Sequence, residues 1–287
     1  MINQQYGRAL QKLIKSKELR PAEVSRKTGI GQGSLSKILN GQTLPSLDQL
    51  DSILSVLHIS LSEYDFFLNN FTHNYEEEIL TDISRSYFAD NKAKLEEIYQ
   101  EATTYGYRWL ALAAKSCLGS LTESEQLEIS DFLMGLEIWT FYELSLLSLT
   151  VESLSPVLIS SIIHGLQKKE KKLILRHKYR RLLIQITCWG EITCILANKQ
   201  KEAHDCFTYA KILISDYERD LYARNLYHFT EGLYAYYYSF GEPEKKAAGL
   251  EEMKKVIEIF DWLESRNIAK HYQRFLDTRI FAEKVDK

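Results

Sequence analysis

The 287-residue chain is 45% hydrophobic and 26% charged, contains only four prolines and has a net charge of −3. This length suits two domains, and so few prolines favour long helices. The polar N terminus lacks the apolar core of a secretory signal, and Glu152 and Pro156 interrupt the most apolar stretch, 143–163. The four cysteines lack metal-ligand spacing and are expected to be reduced thiols. The composition therefore predicts a cytoplasmic protein without a membrane span.

Charge is distributed unevenly along the chain. Residues 1–45 contain eight Lys or Arg and two acidic residues, a net charge of +6, which leaves −9 for the remainder. A basic head on an acidic body is typical of a protein that binds nucleic acid through its head.

Short amphipathic helices are predicted in the first seventy residues. Apolar residues recur at helical spacing in two stripes: Tyr6, Leu10, Leu13 and Ile14, and Leu47, Leu50, Leu54 and Leu57. Between the stripes, one short helix is predicted from Pro21 to Gly29. Another runs from about Gln32 to Leu39 and ends at Asn40-Gly41, a natural left-handed cap. Two brief helices joined by a turn that contains glycine predict a helix-turn-helix.

The run LRPAEVSRKTGIGQGSLSKILNGQTLPSLDQLDSILSVLHISLSEY resembles the helix-turn-helix domain of the Xre (lambda/434 repressor-like) family. In that fold the second helix of the motif enters the major groove of DNA. The predicted DNA contacts are Gln32, Gly33 and Ser34 at base edges, and Lys37, Asn40 and Thr43 at phosphates. Because Gly31 and Gly33 offer little side-chain surface, readout of DNA shape is an alternative. A helix-turn-helix that serves only as an interaction module is another.

A helical body is predicted after a polar linker. The domains are 1–68, the DNA-binding head; 69–78, the linker; and 79–287, the sensing and dimerisation body. Helices are predicted near 75–88, 91–104, 107–118, 123–148, 156–167, 170–197, 200–215, 218–240, 243–261 and 263–284. Short polar joints between them indicate antiparallel neighbours.

The body has weak signs of a helical repeat. Ala203, Phe207 and Ala210 have the spacing of the second helix of a tetratricopeptide repeat, and Gly249, Met253 and Val256 repeat it. The predicted fold is all-α, with a lambda-repressor-like head and a right-handed tetratricopeptide-like body. A non-repeating helical bundle is the alternative.

The 18 tyrosines concentrate in the body, where Tyr227, Tyr234 and Tyr238 share one helix face. Such a stripe fits a hydrophobic core or a peptide groove. We find no catalytic triad, no paired carboxylates, no Gly-rich phosphate loop and no histidine metal motif. The sequence thus predicts neither an enzyme nor a bound cofactor or metal.

The whole chain resembles the Rgg (Rgg/GadR/MutR) family of peptide-responsive transcription regulators, notably in the segments Tyr222-Ala-Arg224, GLYAYYYSFG and Met253 to Phe260. This resemblance implies a homodimer that binds double-stranded promoter DNA. It also implies a short hydrophobic pheromone peptide bound on the concave side of the helical-repeat body, in quorum-sensing control of nearby promoters. RNA polymerase is a further candidate partner. The residues predicted to bind the peptide are Tyr179, Tyr222, Arg224 and Asn225, with Arg224 on its C-terminal carboxylate. The alternative is that Tyr222 and Arg224 form an internal pair with a structural role.

The last predicted helix, near 263–284, has an apolar stripe close to one face; the residues here are Trp262, Ile268, Tyr272, Phe275, Leu276, Arg279 and Ile280. The stripe is predicted to pack on a second subunit, or alternatively to close the chain's own array of helices.

Two other functions stay open. One is a regulator of the same build that senses a protein or a small molecule, and the other is a helical scaffold that does not regulate transcription.

Overall fold

Helices form all the regular secondary structure in the computed structural model, which describes residues 2–68, 75–169, 174 and 176–281. The chain divides into two units, Met1–Glu78 and Ile79–Lys287. Of the predicted linker 69–78, residues 69–74 lie outside the described residues, and 75–78 are the first turn of a helix. No helix among the described residues is long and apolar enough to cross a membrane.

Among the residues that the structure describes, five helices lie wholly within the first unit. They are α1 (Ile2–Ser16), α2 (Pro21–Thr28), α3 (Gln32–Leu39), α4 (Leu47–Leu57) and α5 (Leu61–Leu68). Their apolar stripes meet in one core, where Leu10, Leu35 and Ile53 are almost fully buried. Gly29 ends α2 and Gly41 follows α3, both with positive φ, as their sequence context predicted.

A glycine allows α1 to cross the end of α3 closely. A Cβ atom at Gly7 would lie 2.5 Å from the carbonyl oxygen of Leu39 and 2.7 Å from that of Ile38. Backbone atoms cannot move aside as a flexible side chain can. Gly7 therefore fixes the position of α3 against α1, a role that the periodicity of α1 alone does not indicate.

The second unit continues as a succession of helices. They are α6 (Tyr75–Phe88), which begins in the first unit, α7 (Lys92–Thr104), α8 (Arg108–Cys117), α9 (Glu123–Met134), α10 (Phe141–Thr150), α11 (Pro156–Lys169), α12 (His177–Leu196), α13 (Gln200–Ile214), α14 (Leu221–Tyr237), α15 (Pro243–Trp262) and α16 (Arg266–Phe275). A 3-10 turn follows α10, and a π-helical segment, Leu276–Phe281, follows α16.

The predicted helix 123–148 was wrong, because the chain forms two helices there. Helix α9 ends at Met134, and α10 starts after Thr140. The backbone N–H of Thr140 donates to a carboxylate oxygen of Glu143 at 2.8 Å, and the Thr140 hydroxyl accepts from the N–H of Tyr142 at 3.3 Å. The sequence Thr-x-x-Glu is thus a capping box that starts α10.

The helices of the body pack as two rows. Helix α8 packs on α10, α10 on α12 and α12 on α14, while α11 packs on α13 beside them. Neighbours in sequence also pair, as in α7 with α8, α12 with α13 and α14 with α15. Ala203, Ala210 and Gly249 are buried at these contacts. The all-α fold with a helical-repeat body is confirmed.

The apolar stripe of the last helix packs inside its own chain. Tyr272 and Leu276 are fully buried, and Ile280 is almost fully buried. The Tyr272 ring stacks on Trp189 with ring centroids 5.8 Å apart and on Phe260 with centroids 5.7 Å apart. Tyr272, Leu276 and Ile280 therefore close the chain's own array of helices, as the alternative predicted, whereas Trp262 is exposed and its packing on a second subunit stays a prediction.

Candidate functional site

Helix α3 has one buried and one exposed face. Leu35, Ile38 and Leu39 point into the core of the first unit. The four residues predicted to contact DNA from this helix, Gln32, Gly33, Ser34 and Lys37, are all exposed. One helix thus presents its N-terminal residues and a lysine one turn later on a single solvent-facing surface, as a recognition helix requires.

The turn before α3 is held by hydrogen bonds from α2. The Ser25 hydroxyl is buried and donates to the carbonyl oxygen of Ile30 at 2.6 Å. The N–H of Gly29 donates to the carbonyl oxygen of Ser25 at 3.0 Å. The Ser25 hydroxyl thus ties the turn to α2. These bonds fix the direction in which α3 leaves the motif.

Asn40 and Thr43 lie at the other end of α3. The Asn40 amide donates to the Ser36 hydroxyl at 3.4 Å and accepts from Gln11 Nε2 at 3.4 Å. The N–H of Thr43 donates to the carbonyl oxygen of Lys37, also at 3.4 Å. Both side chains are exposed, so the structure places all six predicted DNA contacts on or beside the exposed surface of α3.

A groove in the second unit brings together residues from both ends of the body. It has a volume of 530 Å³, within the range of ligand sites. Aromatic rings of Tyr87, Trp189 and His271 form one wall. The groove is lined further by the apolar residues Leu95, Ile192, Leu196 and Phe275 and by the charged residues Asp90, Lys92, Glu152, Arg274 and Arg279.

The aromatic wall of the groove is held at its centre by His271. The His271 ring lies 5.0 Å from Tyr87, 5.1 Å from Phe88 and 5.5 Å from Trp189, measured between ring centroids. Burial among these rings, aided by the Arg274 guanidinium, lowers the pKa of His271 to about 4. The imidazole is therefore neutral at pH 7 and acts as part of an uncharged wall.

Two polar contacts hold the rim of the groove. Arg274 Nη1 pairs with a carboxylate oxygen of Asp90 at 2.7 Å, which joins α16 to the turn between α6 and α7. The Tyr87 hydroxyl donates to Glu152 at 2.6 Å. Since these residues are up to 184 positions apart, the groove exists only in the folded body.

Two of the residues predicted to bind a peptide have partners within the fold. The buried Asn225 amide donates to the carbonyl oxygen of Val256 on α15 at 3.0 Å. Arg224 Nη1 donates to the carbonyl oxygens of Ile214 and Tyr217, at 3.2 and 3.4 Å. These contacts favour the structural role of both residues over peptide contact.

The other two predicted residues lie against neighbouring helices. The Tyr222 hydroxyl accepts from Gln185 Nε2 at 3.3 Å, and burial raises its pKa. The Tyr179 ring packs edge-on against Phe141, with centroids 5.8 Å apart. The four residues do not line the groove, and their contact with a peptide stays a prediction.

The groove residues were missed by sequence reasoning for a physical reason. Tyr87, Trp189 and His271 lie on three different helices, each within an ordinary amphipathic pattern. Nothing local distinguishes them from core aromatic residues. The tyrosine stripe of Tyr227, Tyr234 and Tyr238 lies outside the groove. Two of its rings stack on Phe207, whose ring centroid lies 5.0 Å from that of Tyr234 and 6.2 Å from that of Tyr227.

Comparison with known proteins identifies the two units. A family model described as HTH-type transcriptional regulator Rgg, C-terminal domain, matches residues 68–274, and a helix-turn-helix model matches residues 10–64. The solved Streptococcus dysgalactiae SHP pheromone receptor Rgg2 is 17% identical, with a TM-score of 0.73 over 96% of this chain and 100% of that one.

Two regulators solved with their ligands have the same fold. Bacillus thuringiensis PlcR, in complex with the peptide PapR7 and DNA, is 15% identical, with a TM-score of 0.66 over 96% of this chain and 100% of that one. ComR from S. thermophilus, in complex with DNA and its signalling peptide ComS, is 14% identical, with a TM-score of 0.54 over 94% and 97%.

The environment of Gly33 gives a test that separates folding from DNA binding. A Cβ atom at Gly33 would meet nothing within 4 Å, so alanine should stabilise α3 by about 0.5–1 kcal/mol. We expect Gly33→Ala to raise the melting temperature of the protein but to weaken DNA binding, because a methyl group would intrude between α3 and the duplex. Melting is followed by circular dichroism and binding by fluorescence anisotropy.

The matched control is Gly165→Ala in α11, where a Cβ atom also meets nothing within 4 Å. It should stabilise the body and leave DNA affinity unchanged. Unchanged DNA affinity for Gly33→Ala would show that α3 does not approach DNA closely at this residue.

Proposed function

Because the chain belongs to the Rgg family of helix-turn-helix transcriptional regulators, we propose that its head binds promoter DNA and that a short hydrophobic peptide bound by its body controls the DNA-bound activity. In this proposal the protein is cytoplasmic, because it must reach the promoter DNA of the chromosome. The observation that carries the DNA-binding role is the exposed surface of α3, which presents Gln32, Ser34 and Lys37.

The chemistry of this surface suits a duplex. The Gln32 amide can bond an adenine edge bidentately, and Ser34 can donate or accept a hydrogen bond. Lys37 is one turn further along the helix, where a charge contacts phosphate and sets the register. The net charge of +6 in residues 1–45 attracts the DNA backbone, while the acidic remainder of the chain is repelled by it.

Substitutions in α3 should separate base readout from charge. Gln32→Ala should cost about 1–3 kcal/mol on the specific site and little on random DNA, because the lost contact reads one base. Lys37→Ala should weaken binding to all sequences alike and reduce the salt slope by about one. Anisotropy titrations over a series of salt concentrations on specific and random duplexes measure both effects.

Lys255→Ala is the control, since this exposed lysine lies on α15 in the body. It should change neither the affinity nor the salt slope. An equal loss on specific and random DNA for Gln32→Ala would remove this residue from base readout, and full-strength binding by Lys37→Ala would contradict the phosphate contact.

The groove of the body is the proposed peptide site. It offers aromatic and aliphatic walls for hydrophobic side chains, with Tyr and Trp rings that lose little entropy on binding. Lys92 and Arg279 also line the groove and are exposed, so either cation can pair with the C-terminal carboxylate of a peptide. That Rgg2 is a pheromone receptor and that PlcR and ComR were solved with peptides supports this assignment.

Charge introduced into the groove should abolish peptide binding. Leu196 is 39% exposed and lines the groove, so Leu196→Glu should reduce affinity for hydrophobic peptides at least tenfold without unfolding the body. Leu221→Glu is the control, because Leu221 is 64% exposed at the start of α14 and outside the groove. The probes are fluorescein-labelled synthetic peptides from short reading frames beside the gene, titrated by anisotropy.

Arg224→Ala separates this site from the one predicted from the sequence. Arg224 donates to the carbonyl oxygens of Ile214 and Tyr217, where α13 ends and the chain leads into α14. If these two contacts stabilise the fold, the variant should melt at a lower temperature and bind the same peptide normally. Lost affinity at an unchanged melting temperature would move the peptide site to Arg224 and its neighbours. Equal affinity of Leu196→Glu and the wild type would exclude the groove.

A second copy of the chain is the proposed partner in DNA binding. Two heads related by twofold symmetry would read an inverted repeat with half-sites about one helical turn apart. The end of α15 exposes an apolar strip, in which Trp262 is 80%, Leu263 43% and Ile259 37% exposed. Burial of this strip between two chains would remove apolar surface from water.

Sedimentation velocity at micromolar concentration tests the dimer and its surface. The wild type should sediment as a dimer, and Trp262→Gln should shift it towards monomer and weaken cooperative binding to the inverted repeat. Ile138→Gln is the control, because Ile138 is 73% exposed on another part of the body. A wild-type monomer would contradict the proposal, and a dimeric Trp262→Gln would place the interface elsewhere.

A further inference from the structure

Three metal-ligating side chains converge where α14 and α15 cross. His228 Nδ1 lies 3.4 Å from Glu231 Oε2 on its own helix and 3.0 Å from Glu252 Oε1 on α15. The three ligand atoms all lie within 4.8 Å of one another. Each side chain is 40–45% exposed, so the cluster lies near the surface of the body.

The backbone of the crossing brings these residues together. A Cβ atom at Gly232 would lie 2.7 Å from the carbonyl oxygen of Gly249 and 3.1 Å from the Cβ of Glu252. Only glycine permits this approach, and it places Glu252 of α15 beside Gly232. Gly232 lies one helical turn along α14 from His228, so Glu252 and His228 are brought close together. His228 and Glu231 are three residues apart and therefore lie on the same face of α14.

The two distances from His228 Nδ1 fit ligands around one ion. Consider two ligand atoms that are each bound to a metal ion at about 2.1 Å. They lie about 3.0 Å apart when the ligand–metal–ligand angle is about 90°, and about 3.4 Å apart when that angle is tetrahedral. The two nitrogen–oxygen distances at His228 have these values. Among the described residues, His228 Nδ1 makes no hydrogen bond, although its solvent exposure is below 1 Å². The nitrogen is thus close to both carboxylates but aligned with neither.

We propose that His228, Glu231 and Glu252 form a binding site for a divalent transition-metal ion such as Zn²⁺. One imidazole nitrogen and two carboxylate oxygens suit such an ion, whereas Mg²⁺ prefers oxygen ligands alone. A His and a Glu three residues apart, completed by a Glu from the neighbouring helix, is an arrangement that helical bundles use for metals. The ion would clamp α14 to α15 and stabilise the C-terminal part of the body.

A second contact orients one of the ligands. The Tyr227 hydroxyl donates to Oε1 of Glu231 at 3.1 Å, which leaves Oε2 directed towards His228. Hydrogen bonds of this kind fix the geometry of metal ligands and strengthen metal binding.

The competing explanation is an ion pair in which a protonated His228 is attracted to the two glutamates, and such a pair needs no metal.

The experiment uses the full-length protein without a histidine tag, treated with EDTA and transferred to metal-free buffer. Zn²⁺ and Mg²⁺ are added separately, and binding is followed by calorimetry and by the melting temperature. We expect about one Zn²⁺ per chain at this site and a higher melting temperature with Zn²⁺ only, because an ion that binds the folded state stabilises it. His228→Ala and Glu252→Gln should each weaken Zn²⁺ binding at least tenfold.

Glu252→Gln keeps the size and shape of the side chain, so it remains informative if His228→Ala folds poorly. Glu258→Gln changes an exposed carboxylate on α15 outside the cluster and should bind Zn²⁺ like the wild type. Absence of Zn²⁺ binding by the wild type would leave the ion pair as the explanation. Unchanged binding by Glu252→Gln would place the metal elsewhere, and either result would overturn the proposal.

Discussion

The close crossing of α14 and α15 is the constraint on which the C-terminal half of the body depends. Gly232 and Gly249 face each other there, and a side chain on either would collide with the backbone of the other helix. Because the axes are so close, the Asn225 amide reaches the carbonyl oxygen of Val256. The crossing sets the direction of α15 and hence the place where the chain turns back into α16.

The return of α16 in turn builds the groove. Tyr272 anchors the helix, because its fully buried ring packs between Trp189 of α12 and Phe260 of α15. The next residue towards the N terminus, His271, then lies against Tyr87 from the start of the body. The two stacked contacts of the Tyr272 ring hold α16 against α12 and α15. Packing in the core and the shape of the groove are thus consequences of the same contacts.

The head could be predicted from the sequence and the groove could not. The head depends on local sequence signals, whereas the groove depends on contacts between residues that are far apart in the sequence. Turn glycines such as Gly29 and the spacing of Leu35 and Ile38 are local signals, and together they specified the helix-turn-helix. The break before α10 also had a local signal, the capping box of Thr140, which the apolar run around it concealed. Contacts such as Arg274 with Asp90 join residues far apart in sequence, so no single-sequence pattern contains them. For the same reason the sequence alone could not show that Tyr272, Leu276 and Ile280 pack inside their own chain.

The position of the groove also limits what a bound peptide can do. A ligand shifts an equilibrium only by its difference in affinity between two states. A peptide that binds one arrangement of the body and not another stabilises it by about 2.7 kcal/mol at a concentration of one hundred times its dissociation constant. The groove joins Tyr87 of α6 to His271 of α16, so under the proposed function the binding energy of a peptide would act on the contact between these two helices. An effect on DNA-bound activity would then arise from a difference in that contact, and a peptide that left it unchanged would bind without signalling.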